Sequence, residues 1–309
     1  MVNNAEILFL YDAEMANPNG DPDDENRPRM DYQFRRNLVS DVRLKRYVRD
    51  YLQQKGHSIF VESGDNSEVV DASTRIKNLL KRSPNSSDAS EIMGKLIDVR
   101  LFGVTIPIKK KKGESSGGDS IRVTGPVQFT WGYSLNEVDL VDTYSITSRF
   151  SSGEGKKQGT IGKDYRVYYS LIGFYGVLSG IRAQKTGMTE SDSDLLNKAL
   201  LSSIAQQVTR SKIGQFPRFY LRIIYKDQET VLGDLRKYIE LAEKKNLRRV
   251  EDVKLEIGPM INHISANADK IQQIQYWIDP LLRVEQSGKP ETLERVLNEL
   301  KIKVVQLSL

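Results

Sequence analysis

The chain has 309 residues, 39% of them apolar and 28% charged, and its mean hydropathy of -0.48 is that of a soluble globular protein rather than a collagen-like, mucin-like or disordered one. It has no cysteine and two histidines, His57 and His263, which excludes disulfides, thiol nucleophiles and Cys-type zinc or iron–sulfur sites and leaves few parts for a histidine triad. The 46 basic and 41 acidic residues give a net charge of +5, and their distribution is uneven. Nine basic residues face three acidic ones between Arg27 and Lys55, and 205–226 carries Arg210, Lys212, Arg218, Arg222 and Lys226 with no acid, which points to a polyanionic partner. The longest apolar stretch, 171–181, is too short and glycine-interrupted to cross a bilayer, and residues 1–10 lack a basic leader region. A cytoplasmic protein without a membrane partner is expected.

Ala5 to Met15 is an apolar run ending in Asn17-Pro18-Asn19-Gly20-Asp21-Pro22, which reads as a buried strand followed by a rigid loop. A helix follows from about Asn37 to Gln54, with Asn37 or Ser40 as its cap. Leu44, Tyr47, Val48 and Tyr51 form its apolar face, Arg43 and Lys45 its flanks, and Arg46 and Arg49 point away. Residues 57–120 turn polar and read as an insertion, with Gly/Ser-rich clusters at 63–67 and 83–87 and a Lys109–Lys112 run in a loop. Ile121 to Ser134 reads as a strand bent at Gly125-Pro126, Thr147 to Asp164 as a long glycine-rich loop, and Tyr165 to Val177 as a strand. A helix over 191–208 and a strand over 218–225 complete the order β-α-β-β-α-β, that of a ferredoxin-like or RRM-like α+β fold with an antiparallel sheet. Helices over 231–245, 268–279 and 292–300 and a closing strand over 301–309 are expected to follow.

Familiar catalytic patterns fail. Asp21, Asp23 and Asp24 do not fit an EF-hand, because Pro22 and the missing glycine break its spacing. Glycines 153, 155, 159 and 162 match neither GxxxxGK[ST] nor GxGxxG. The 166–177 segment lacks the RRM core motif, so Tyr168, Tyr169, Phe174 and Tyr175 read as core residues and not as a base-stacking platform. Any RNA contact would then fall to helix faces and loops. No metal, cofactor or catalytic residue is assigned.

Several motifs occur in one order: the Asn17–Pro22 loop, Asn26-Arg27-Pro28-Arg29, Val39 to Arg49, Leu101-Phe102-Gly103, Gly125-Pro126-Val127-Gln128, Thr160 to Tyr165, and Thr209 to Gln215. Together they resemble the CRISPR-associated backbone subunit of Cascade in its type I-B branch, with the type I-C subunit as a sister. The resemblance implies an RRM-like palm (1–56 and 121–309), a finger-like insertion (57–120) and a thumb-like loop (145–164). It also implies a non-catalytic subunit that polymerises along the guide RNA (crRNA) with other Cascade subunits and leaves the bases to pair with target DNA, in antiviral defence. Carried over by position, Ser40, Arg43, Lys45, Arg46 and Arg49 become phosphate contacts, with Arg27 and Arg29 as helpers. Lys163 and Arg166 meet RNA near the thumb base, and Arg210 and Lys212 join them. Reversal of Arg46 and Arg49 to Glu is expected to abolish RNA retention without unfolding the chain.

Two other classes of function compete. One is a metal-dependent ribonuclease like the type III backbone subunit, with Asp31 or Asp41 cutting target RNA. The other is a self-assembling structural protein that binds no RNA.

Overall fold

The computed structural model describes residues 1–62, 71–108, 120–147 and 161–309. The 63–67 cluster, the Lys109–Lys112 run and residues 148–160 of the glycine-rich loop lie outside them. Strand β1 (Ala5–Ala16) is a nearly unbroken apolar run because both of its faces are covered: Ile7, Phe9 and Tyr11 enter one hydrophobic cluster, Leu8 and Leu10 another. Short hairpins follow, β2 (Gly20–Asp21) with β3 (Arg27–Pro28) and β4 (Met30–Asp31) with β5 (Arg36–Val39). Helix α1 (Asp41–Gln54) starts after Ser40, whose hydroxyl accepts the Arg43 amide. Asn37, the other expected cap, belongs to β5, where its amide donates to the Ser134 hydroxyl at 3.0 Å. Leu44, Tyr47, Val48, Tyr51 and Leu52 bury one face of α1, as their spacing predicts.

The segment after α1 builds α2 (Ala72–Leu80), α3 (Ala89–Lys95), α4 (Ile97–Phe102) and an antiparallel pair, β6 (Gly103–Pro107) with β7 (Ser120–Thr124), around a small cluster that includes Ile76, Ile92, Ile106 and Ile121. The single strand expected over 121–134 is therefore three. β7 pairs with β6, whereas β8 (Val127–Phe129) and β9 (Gly132–Ser134) pair with a later strand. The break falls at Gly125, where a Cβ would lie 2.3 Å from the Phe102 carbonyl carbon, so only glycine lets the two chain segments touch. β10 (Ser145–Thr147) and β11 (Ile161–Lys163) pair as the stem of the glycine-rich loop, and β12 (Val167–Leu178) follows. The unanticipated α5 (Gly180–Thr186) precedes α6 (Glu190–Ser202), which opens with a Thr189/Asp192 capping box and stops at Ser202, not at 208. β13 (Gln215–Tyr225) ends the expected series.

The remainder departs most from expectation. Residues 231–245 hold a short 3-10 turn, Leu235–Tyr238, and β14 (Glu240–Leu241) in place of a helix. The cause is the buried Glu6, whose carboxylate accepts the Leu232 and Gly233 amides at 2.7 and 2.9 Å and so fixes a non-helical backbone, with Gly233 at φ +109°. β15 (Lys254–Glu256), α7 (Gly258–Ser265) and β16 (Ile271–Ile278) come next. β16 replaces the helix expected over 268–279, because pairing with β13 makes use of its Ile, Tyr and Trp side chains. β17 (Arg283–Gln286), β18 (Lys289–Glu291), α8 (Leu293–Asn298) and β19 (Lys303–Gln306) close the chain, the last two near their expected places.

Among the described residues the main sheet runs β19-β16-β13-β1-β12-β9-β5-β4, with β8 also on β12. It is antiparallel throughout its centre and parallel only at β16/β19, an α+β arrangement. Helices α1 and α6 pack on one face through Tyr47, Val48, Leu196 and Leu200. The other face is closed by Leu235, Leu255, Ile261 and Leu293. With both faces covered, Tyr169, Phe174 and Tyr175 are buried as expected, whereas Tyr168, expected in the core, is only half-buried and lies under the Arg248 guanidinium. No described helix is long and apolar enough to cross a membrane.

Candidate nucleic-acid interface

The Asn17–Pro22 loop is a bracket. The Asn19 side-chain oxygen accepts both the amide and the hydroxyl of Ser40, at 2.9 and 3.0 Å, tying the loop to the start of α1. Asn17 donates its backbone amide to Ser211 O and its side chain to Asn26 O, and the Tyr47 hydroxyl reaches Pro18 O. The Thr209–Gln215 segment docks on this bracket. Gly214 has φ +94° and accepts the Glu14 amide at 2.8 Å, and a Cβ there would meet Glu14 O at 2.5 Å. Gln215 folds back to donate to Lys212 O.

The bracket gathers eight of the eleven expected contact residues. Lys212 donates to Asn17 O, and burial, followed by the Arg43 charge, brings its ammonium down to about 7. Arg43 lies over the Tyr47 ring, its guanidinium carbon 4.2 Å from the centroid. Among the described residues neither Arg43 nor Lys212 pairs with a carboxylate. Arg166 binds Asp164 at 2.8 Å and reaches Met15 O and Arg210 O, while Arg210 stands 3.6 Å from the same Asp164 with its side chain 65% exposed. Lys163 and the Tyr165 hydroxyl both bind Glu25, and Lys163, then Tyr165, hold that carboxyl below its usual range. Arg27 stacks on Tyr165 and pairs with Asp24 at 3.8 Å, and Arg29 pairs with Asp21 at 3.1 Å. Ser40 is the helix cap already described. The ion pairs of this face thus join five cations to four carboxylates, and Arg43 and Lys212 add two basic side chains that no carboxylate pairs with among the described residues.

Lys45, Arg46 and Arg49 lie apart from this group, at the junction with the inserted helices. Lys45 binds Asp41 and the Gln128 side-chain oxygen, and Gln128 in turn donates to Phe102 O and Gly125 O. Arg46 pairs with Asp50 at 2.7 Å and reaches Val61 O. Arg49 donates at 2.9 Å to Asp98, a carboxylate only 1% exposed that also accepts the Phe60 and Val61 amides. Arg46 and Arg49 are therefore not bare outward charges. An Arg49→Glu reversal would set two carboxylates face to face in a buried site and disturb the fold, contrary to the expectation that it leaves the chain folded. Gln128 and Asp98 carry this junction unannounced, although Gln128 stands inside a motif singled out in the sequence.

The acid-free run 205–226 also divides. Arg218 is buried between Asp12 at 2.8 Å and Asp279 at 2.7 Å, and Arg222 lies beneath α6, so these two are withdrawn from solvent while Arg210 and Lys226, at the ends of the run, are exposed. Asp31 caps the turn after β4 by accepting the Gln33 and Phe34 amides, and Asp41 pairs with Lys45. Among the described residues no group of three or more His, Asp or Glu is placed to hold a metal ion.

The family model described as CRISPR-associated protein Cas7 matches residues 3–258. A curated relative, "CRISPR-associated protein Cas7" of Haloferax volcanii, is 32% identical over 304 residues, covering 92% of this chain and 89% of the relative. Two solved structures, described as "CRISPR RNA-guided surveillance complex" and "CRISPR RNA-guided surveillance complex, pre-nicking", align at 14% and 12% identity with TM-scores of 0.49, covering 96% of this chain and 98% and 99% of theirs. A match over most of the chain and a relative aligned along nine-tenths of it place the chain in the CRISPR-associated Cas7 family.

Proposed function

We propose that the chain is a non-catalytic, guide-RNA-binding backbone subunit of a type I CRISPR Cascade complex, of the type I-B branch. It coats crRNA as repeated copies, meets other Cascade subunits in the cytoplasm and leaves bases free to pair with target DNA. The observation that carries this reading is the bracket face: Arg43, Lys212, Arg210, Arg166 and Ser40 converge from α1 and two loops, with more cations than carboxylates. Such a surface suits phosphate oxygens and reads no bases, since guanidinium forks match phosphate geometry and the covered sheet offers no stacking platform.

Residues 1–56 and 121–309 form the palm in this reading, 57–120 the finger and 145–164 the thumb. The order β13-β1-β12-β8/β9, with α1 and α6 on one face, supports an RRM-like palm. The β10/β11 stem, with Lys163 at its base, supports the thumb. Lys45, Arg46 and Arg49 reach RNA only at the edge of the finger junction, through donors that Asp50, Asp98 and Gln128 leave free.

The test is the nucleic acid that copurifies after a high-salt wash, sized after nuclease digestion. Protected RNA in a ladder of constant increment is the expected result. Protein that carries no RNA and fails to bind added CRISPR repeat transcripts would refute the reading.

A further inference from the structure

Beneath the N-terminus of α6, at the end of β1 opposite the bracket, lies a polar cavity of about 160 Å³ whose lining includes Asn3, Glu190, Arg222, Gln272, Gln273 and Gln275. A single water occupies about 30 Å³ of liquid, so there is room for a tetrahedral oxyanion or a carboxylate. Arg222, on β13, is only 2% exposed. Its side chain donates to the Ser193 hydroxyl and, at 3.3 Å, to the Asn197 side-chain oxygen, both neutral, and its Nε has no hydrogen-bond partner among the described residues.

The neutral acceptors are already committed. Asn197 Oδ1 also takes the Tyr220 hydroxyl at 2.6 Å, and Asn197 Nδ2 is bound to Gln275 at 2.9 Å. Among the described residues no carboxylate forms an ion pair with Arg222. Glu190, the carboxylate lining the cavity, is 64% exposed and faces the Met1 amino group at 3.8 Å. A guanidinium taken out of water without a counter-ion is held at a large desolvation cost, and an anion entering from the cavity would offset it. The other buried arginine of the same strand, Arg218, shows the usual solution, with carboxylates on two sides.

We propose that the Arg222 cavity binds a small oxyanion, inorganic phosphate or a simple carboxylate, whose oxygens accept from the guanidinium and from the surrounding amide side chains. The amides suit this role because their NH2 groups donate without adding charge. The site is separate from the RNA face and does not rest on the RNA-binding reading.

The test is thermal unfolding and calorimetric titration of the full chain, stripped of nucleic acid, with inorganic phosphate and with acetate against chloride at fixed ionic strength. A saturable rise in Tm and a single-site isotherm are expected, and the stronger of the two ligands distinguishes phosphate from carboxylate as the preferred anion. Arg222→Met should lose at least about tenfold in affinity, the size of a charge-assisted hydrogen bond. Gln275 is the residue directly across from Arg222 in the β13/β16 register, so Gln275→Glu supplies an internal carboxylate. That variant should abolish the response while keeping or raising Tm, which keeps the test sound if Arg222→Met fails to fold. Arg43→Gln, on the RNA face, should retain the response. No response in the unmodified chain, or an equal response in Gln275→Glu, would overturn the proposal, and neither result bears on RNA binding.

Discussion

Removal of the Arg49 guanidinium isolates the contact that seats the inserted helices on α1. Arg49 and Asp98 are both nearly sealed from solvent, their side chains 11% and 1% exposed, and their pair is 2.9 Å long. Taking away one partner of a buried pair costs about 3–5 kcal/mol. Asp98 keeps the Phe60 and Val61 amides when Arg49 is lost, so the low end applies to Arg49→Met, about 3 kcal/mol. For a chain of this size about 1 kcal/mol moves Tm by roughly 1.5–2 °C, which gives a drop of roughly 5–6 °C. Asp98→Leu should cost as much or more, because it strips three donors of their acceptor. The double variant should cost less than the sum of the two, by a coupling energy of about 1–3 kcal/mol. Urea unfolding followed by circular dichroism measures all three. A loss under about 0.5 kcal/mol in Arg49→Met, in the range of a surface substitution, would show that Arg49 is not part of the seat. Strict additivity in the cycle would show that the two residues do not act as a pair.

Further outcomes follow from the bracket. Ser40→Ala removes the α1 cap and the hydroxyl bound to Asn19, and urea unfolding should show a loss of about 1 kcal/mol. Gly214→Ala forces a side chain into φ +94° against Glu14 O, and a loss of about 1–3 kcal/mol in the same assay is expected. Lys212 has its ammonium lowered to about 7 from 10.5, so the unfolded chain binds the extra proton between those values. Its share of stability is present above pH 10.5 and is lost as pH falls through 7. The stability of the unmodified chain relative to Lys212→Met should therefore rise from pH 7 towards pH 10, and a flat difference would refute the burial of that ammonium.

The sequence is legible where one pattern dominates. β1 and α1 follow their apolar spacing closely, and Ser40 caps α1 as expected. Residues 231–245 mislead because good helix formers surround Gly233, and the decisive partner, Glu6, lies more than two hundred positions away. Residues 271–278 carry apolar side chains at spacings that also suit a helix, and pairing with β13 decides for a strand. Charge runs fail for a related reason: Arg218 and Arg222 count as surface charge in the sequence, yet their partners come from Asp12, Asp279, Ser193 and Asn197. The motifs are legible as architecture. Asn17, Asn19, Gly125, Gln128 and Gly214 hold the loops in place, and the cations they position are the candidates for phosphate.

The most direct measurement of the central claim is the salt dependence of single-stranded RNA affinity for the nucleic-acid-free chain and for Arg43→Gln, Arg210→Gln and their double variant. If the bracket face holds the phosphate backbone, affinity should fall whatever the RNA sequence. The slope of log affinity against log salt should then shrink by about 0.7 for each arginine removed. Unchanged affinity and slope in the double variant would contradict the bracket face as the RNA site.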